Sequence, residues 1–181
     1  MESTDIEIIN QCINGDPEAF TMIVTRYKKL IYSVVINMVQ DIHEVDDAAQ
    51  EAFLKIYKSL DQFNPEYKFS TWAVKITTNL CIDRMKRKQP KFVHLDEVKE
   101  LQSNSDSPES LLIKKEKRRS INNALQALPE KYKIPLILFH QSGLSYEEMA
   151  DVMNEPMTIV KNRLHRARLM LRERLQVDRK E

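Results

Sequence analysis

The sequence predicts an all-α protein of two small helical domains joined by a flexible linker, the C-terminal one containing a helix-turn-helix. Three observations carry that expectation. Only two glycines, Gly15 and Gly143, occur in 181 residues, too few for a turn-rich β protein. Apolar residues recur three and four apart behind recognisable helix caps over most of the chain. Between residues 91 and 110 that period disappears and serine and acid take over, which reads as a linker between domains at 1–90 and 111–181.

Residues 3–14 read as a first helix. Asn14-Gly15-Asp16-Pro17 is a joint, with Gly15 as helix stop, Asp16 as N-cap and Pro17 as first helical residue. The next helix carries Phe20, Ile23, Val24, Tyr27, Leu30, Ile31 and Val34 on a core-facing stripe to about Val39. Asp41 and Glu44 read as a capping box for a third helix, with Val45, Ala48, Ala49, Ala52, Phe53, Ile56 and Leu60 inward. Asp61 to Lys68 is a loop marked by Asn64-Pro65. Ser70 is expected to cap the fourth helix, which runs to Pro90 with apolar residues on two sides and a basic end.

After the linker, Ile113 to Leu128 reads as a helix with a basic start, and Pro129 opens another that holds Pro135. An internal proline removes one backbone hydrogen bond and should bend that helix. Ser145 and Glu148 form a second capping box, Asn154-Glu155-Pro156 breaks the short helix, and Pro156 begins the last one. On the last helix Met157, Val160, Leu164, Ala167 and Leu171 form an apolar stripe. Lys161, His165, Arg168 and Arg172 share a separate basic face. A capped short helix, a tight turn and a basic second helix have the form of a unit that enters a major groove.

The net charge of +1 hides segregation. Residues 1–66 hold 5 basic and 12 acidic side chains, and residues 67–91 hold 7 against 1. Residues 92–116 hold 3 against 6, and residues 117–181 hold 13 against 8. Two separate basic segments in a near-neutral chain suggest two nucleic-acid footprints. Aromatic residues entering the basic fourth helix supply stacking for unpaired bases, although Trp72 taken singly reads as a core residue.

Catalysis has little support: there is no phosphate-cradling glycine loop, no HExxH, no CxxC and no serine elbow, and the four histidines are scattered. Cys12 and Cys81 lack metal-ligand spacing and read as reduced, packed side chains. His43, Glu44, Asp46 and Asp47 are better explained by capping than by a metal, so no cofactor or metal is expected. No apolar run resembles a signal peptide or reaches membrane-spanning length, so neither membrane insertion nor export is expected and the cytoplasm is the default location.

The segments DAAQEAFLKIYKSLDQF, FSTWAVKITTNLCIDRMKRK, LPEKYKIPLILFHQSGLSYEEMADVMN and VKNRLHRARLMLRERL, in that order and with a linker before the third, resemble the extracytoplasmic-function sigma factors of the sigma-70 family. The resemblance covers nearly the whole chain. It implies a bacterial transcription initiation factor without enzymatic activity, whose partners are core RNA polymerase, promoter DNA and a cognate anti-sigma factor. It implies that Asp47, Gln50 and Glu51 dock on the polymerase clamp. Phe69 to Lys88 would recognise and melt the −10 element, with a base captured around Ser70, Thr71, Trp72 and Asn79, and Lys75, Arg84, Arg87 and Lys88 on the DNA. The last helix would read the −35 element. Lys161, Arg163, Arg166, Arg168 and Arg172 would contact phosphates or bases, and Thr158, Asn162 and His165 would lie near base edges.

The chain departs from the family pattern in three places. Thr158-Ile159-Val160 stands where Gly-Thr-Val is common, Asn162 where serine is frequent, and Ala48 where a larger aliphatic is usual. Promoter preference is therefore expected to be individual. The rival reading is an autonomous helix-turn-helix regulator with a sensor or dimer domain at its N-terminus; the second basic segment around Trp72 argues against it.

Overall fold

The computed structural model describes residues 4–39, 41–87 and 119–177; it is helical throughout, with no strand among those residues. Helix α1 (Asp5–Ile13) is held at its start by a capping box. The Thr4 N–H donates to Glu7 Oε2 at 2.8 Å, and the Thr4 hydroxyl accepts from the Glu7 N–H at 3.3 Å. Gly15 turns the chain at φ +91°, a conformation in which a side chain would be strained. Asp16 then caps α2 (Pro17–Met38) by accepting from the Glu18 N–H at 2.9 Å.

Two expected helix starts differ in detail. Asp41 caps a 3-10 turn at Ile42–Glu44, and α3 (Val45–Lys58) follows from it. The tighter i→i+3 winding satisfies the first free N–H groups before the α-helix begins. Helix α4 (Phe69–Arg87) starts before Ser70, which lies within its first turn and does not cap it; the Trp72 N–H already bonds the Lys68 carbonyl at 3.2 Å. Phe69 is buried, and its insertion into the core fixes where α4 begins.

Helix α2 is the spine of the N-terminal half. Its Ile23, Ile31, Val34 and Val35 are buried, and α1, α3 and α4 pack around it. The small residues Ala48, Ala49, Ala52 and Ala73 let the helices approach closely. Cys12 and Cys81 are free and buried. Burial raises both thiols, Cys81 to about 12. Neither side chain should therefore react with iodoacetamide at pH 8 in the native protein, and both should react after unfolding in urea; rapid native labelling of either would contradict this packing.

In the C-terminal half, residues 119–126 are helical (α5), followed by α6 (Glu130–His140), α7 (Tyr146–Met153) and α8 (Met157–Val177). Pro135 is buried inside α6, which continues through it to His140. Leu138, Met149, Val152, Val160, Leu164 and Ala167 form the core of this half. The expected linker at 91–110 and the basic start of the helix before Leu128 lie outside the described residues. The two halves touch, α4 against α7 and α2 against α6. No helix of the described residues is long and apolar enough to cross a membrane.

Candidate functional site

Three surfaces hold the candidate residues. On α3, the buried stripe Val45, Ala48, Ala49, Ala52 and Ile56 turns the opposite face outward. Asp47 and Gln50 are exposed there. Glu51 is half-buried and accepts from Arg84 of α4, from Nε at 2.9 Å and Nη2 at 2.5 Å. This pair links two candidate surfaces: Arg84 is engaged with α3 instead of projecting freely. Leu54, one turn beyond Gln50 and Glu51, is 58% exposed. Sequence periodicity did not single it out, because a lone leucine on a polar face carries little signal; its exposure does.

The second surface is α4 and the loop before it. Lys75, Asn79 and Asp83 are exposed on one ridge, continued by Lys86, and Arg87 is exposed at the end. Lys88 lies outside the described residues. Ser70 and Thr71 are half-buried, and Thr71 donates to Glu148 of α7 at 2.9 Å. Trp72 is half-buried in an aromatic cluster, its ring 5.3 Å from Phe63 and 5.6 Å from Phe69, which in turn lies 5.0 Å from Tyr27. Tyr27 donates to Asp5, and Arg26 pairs with the same carboxylate at 2.6 Å, fastening α1 beneath the loop. In the loop itself the ring of Tyr67 faces solvent, at 62% exposure. Tyr67, Phe63, Lys68, Phe69 and Ser70 line a cavity of about 380 Å³, completed by Thr4, Asp5 and Ile6. The cavity brings α1 to the loop, a juxtaposition that no local pattern contains.

The third surface is the helix-turn-helix. Ser145 and Glu148 form their capping box, the Ser145 N–H donating to Glu148 Oε2 at 2.8 Å and its hydroxyl accepting from the Glu148 N–H at 3.1 Å. Asn154 ends α7 in the left-handed conformation, φ 51°, and the Glu155 N–H reaches back to the Ala150 carbonyl at 3.1 Å. Arg163 then reaches back to Glu155 at 2.8 Å, bracing the turn against α8. The basic residues of α8 thus divide by what they touch. Lys161 lies over the Tyr146 ring at 5.3 Å, and Arg168 lies over the Phe139 ring at 4.8 Å. Arg168 and Arg172 border a groove of about 620 Å³ between α5, α6 and α8. Directly opposite the buried Val160, Leu164 and Ala167, the outward face carries Thr158, Asn162, His165 and Arg166, all exposed. Ile159 adds an aliphatic side chain at 40% exposure beside them. Among the described residues, no hydrogen bond or ion pair engages the side chains of Asn162 and Arg166, and both are exposed.

The chain matches known proteins along most of its length. The profile for Sigma-70 region 2 matches residues 23–91, and that for Sigma-70 region 4 matches residues 118–171. The ECF RNA polymerase sigma factor SigW of Bacillus subtilis is 36% identical over 176 residues, covering 92% of this chain and 94% of that protein. The ECF RNA polymerase sigma-E factor of Escherichia coli K12 is 31% identical over 182 residues, covering 96% and 95%. Two solved structures share the fold at a TM-score of 0.72. One is CnrH in complex with the cytosolic domain of CnrY, at 22% identity, covering 96% of this chain and 98% of that one. The other is RpoE in complex with the anti-sigma factor NepR from Bartonella quintana, at 21% identity, covering 88% and 98%.

Proposed function

This chain belongs to the extracytoplasmic-function sigma factors of the sigma-70 family, and from that membership we propose how its surfaces divide the work of promoter selection. Asp47, Gln50 and Glu51 of α3, with Leu54 as an apolar anchor, dock on core RNA polymerase. Residues 1–90 act at the −10 element and residues 111–181 at the −35 element, with 91–110 as the tether. The observation that carries this reading is that the chain holds two separate DNA-suited surfaces on two helical halves: the α4 ridge with its aromatic loop, and the outward face of α8.

At the −10 element, Lys75, Asn79, Arg87 and Lys88 hold the strand, while Ser70 and Thr71 border the base. Tyr67 supplies the stacking face. Trp72 supports that loop from beneath through Phe63 and Phe69. Arg84 orients α4 through Glu51. At the −35 element, Asn162 has the bidentate amide suited to adenine, Ile159 the aliphatic surface suited to a thymine methyl, and Arg166 the fork suited to guanine or phosphate. Thr158 and His165 flank them. Lys161, Arg168 and Arg172 lie on the flank and meet the backbone, and Arg163 braces the turn. The protein acts in the cytoplasm and supplies recognition and strand separation, while bond formation belongs to the polymerase. A cognate anti-sigma factor is a further partner; the solved structure of RpoE holds the anti-sigma factor NepR, and that of CnrH the cytosolic domain of CnrY.

Replacing Tyr67 by Ala should remove roughly 1–3 kcal/mol of base stacking. Replacing Arg166 by Ala should remove a comparable amount from −35 binding. Each should reduce transcription from a mapped promoter by about tenfold while leaving affinity for core polymerase unchanged. An equal fall in polymerase affinity would refute the division of labour. Gel shift of duplex promoter DNA, with and without core polymerase, tests the whole reading: a specific complex should require the polymerase. Strong specific binding by the chain alone would favour an autonomous regulator.

A further inference from the structure

Thr4, Asp5 and Ile6, at the start of α1, share with Tyr67 and Ser70 the cavity of about 380 Å³ before α4. That volume suits one small ligand and excludes a duplex. The start of α1 lies outside residues 23–91 matched to Sigma-70 region 2, so the match gives it no role. Asp5 is the single carboxylate among the described residues of the lining. Its Oδ1 accepts from Arg26 at 2.6 Å and its Oδ2 accepts from the Tyr27 hydroxyl. Burial, and then the bond to Asp5, push the Tyr27 phenol above its ordinary range, so it stays a donor. Two donors hold the carboxylate in one orientation, as a recognition group must be held. A carboxylate offers about four acceptor positions, so capacity remains toward the cavity. The Thr4 hydroxyl oxygen accepts from the Glu7 N–H, which leaves its own proton to donate. Ile6 and Tyr67, at 45% and 62% exposure, add apolar surface on which a flat ring can lie.

We propose that Asp5 is a specificity-determining residue of this cavity, whose occupant is an unpaired base with an exocyclic amino group, adenine or cytosine. The proposal rests on the promoter reading given above and adds α1 to the −10 surface. The Asp5 carboxylate accepts from the amino group, and the Thr4 or Ser70 hydroxyl donates to the adjacent ring nitrogen. Thymine and guanine carry a carbonyl where adenine and cytosine carry the amino group. That carbonyl would face a carboxylate oxygen with no proton between them, and a site built for a donor rejects such a partner strongly. A backbone phosphate is excluded by like charge. In a duplex the same edge of the base is taken up by pairing. Asp5 therefore reads a base only after it has been extruded, so the discrimination acts on the separated strand.

The full chain with core polymerase tests this on a mapped promoter whose −10 region carries a pre-melted bubble. Each non-template position in turn takes adenine or purine, and cytosine or 2-pyrimidinone, pairs that differ only in the amino group. At one position the wild type should lose about tenfold in template affinity when the amino group is removed. The pair that shows the loss tells adenine from cytosine. Asp5→Ala should reduce that loss to less than about twofold. Asp5→Asn, whose amide can donate, should favour thymine or guanine there. Tyr27→Phe loosens the same fastening but keeps the carboxylate, and should retain the tenfold preference. Thr4 still caps α1 in all three variants, and unchanged circular dichroism verifies the fold. A tenfold loss that persists in Asp5→Ala, or that vanishes equally in Tyr27→Phe, would overturn the role of Asp5. Wild-type indifference to the amino group at every position, or a preference for thymine or guanine, would overturn the occupant. No transcript dependent on the chain from any template would strike the promoter reading itself, and the assignment with it.

Discussion

Phe69→Ala should destabilise the N-terminal half by about 3–5 kcal/mol. Phe69 is 2% exposed and lies among the rings of Tyr27, Phe63 and Trp72, at 5.0, 5.4 and 5.6 Å. Its removal leaves a void bordered by three rigid rings on two helices and a loop, which cannot collapse without moving all of them. Such a loss is a large share of the stability of a domain this size. Urea unfolding followed by Trp72 fluorescence should show the midpoint moving to much lower denaturant. The −10 surface should fail with it, since the loop bearing Tyr67 is anchored through Phe63 and Phe69. A change under 1 kcal/mol would mean that the aromatic cluster does not hold the loop and α4 together.

Leu164→Ala should have a comparable cost, about 2–5 kcal/mol, confined to the other half. Leu164 is 1% exposed and lies at the centre of the α8 stripe between Val160 and Ala167, which packs on α6 and α7. With the recognition helix loosened, transcription from a −35-dependent promoter should fall by more than tenfold. Affinity for core polymerase through the α3 face should fall far less, because α3 packs on α2 and α4 whereas Leu164 lies where α8 packs on α6 and α7. Pull-down of core polymerase, run beside the transcription assay, distinguishes the two. Parallel loss of both would show that the halves do not work separately.

Much of the fold was legible in the chain. The Thr4 cap of α1 was not singled out, but the Gly15-Asp16-Pro17 joint and the Ser145–Glu148 box were read and are present, because caps and breakers act over three or four residues. Asn154 and Pro156 likewise marked the turn, though α8 begins one residue later, at Met157. The starts at Asp41 and Ser70 were placed less well. At Asp41 the chain takes a 3-10 turn before α3, a winding the local sequence permits as readily as the α-helix, and at Ser70 the burial of Phe69 starts α4 one residue early.

The candidate surfaces were legible as residue types but not as pairings. The basic residues of α8 were read as one group, yet Arg163 braces Glu155, Arg168 covers Phe139, and Arg166 faces outward. Glu51 and Arg84 belonged to two separate expectations and meet as a pair. Leu54, Tyr67 and Ile159 carried no local signal, because exposure of an apolar side chain is a property of the assembled fold. The contact of Glu148 with Thr71 joins positions 77 apart in sequence and could not be read from either segment.

Run-off transcription with purified core polymerase on fragmented genomic DNA, with mapping of the start sites, tests the central claim most directly. Discrete transcripts should appear only when this protein is added, and their start sites should share two upstream elements at fixed spacing near −35 and −10. Exchanging Asn162 and Ile159 should change the preferred upstream element and leave the downstream one intact. No added transcript at any site, or transcripts whose upstream sequences share only one element, would contradict the account.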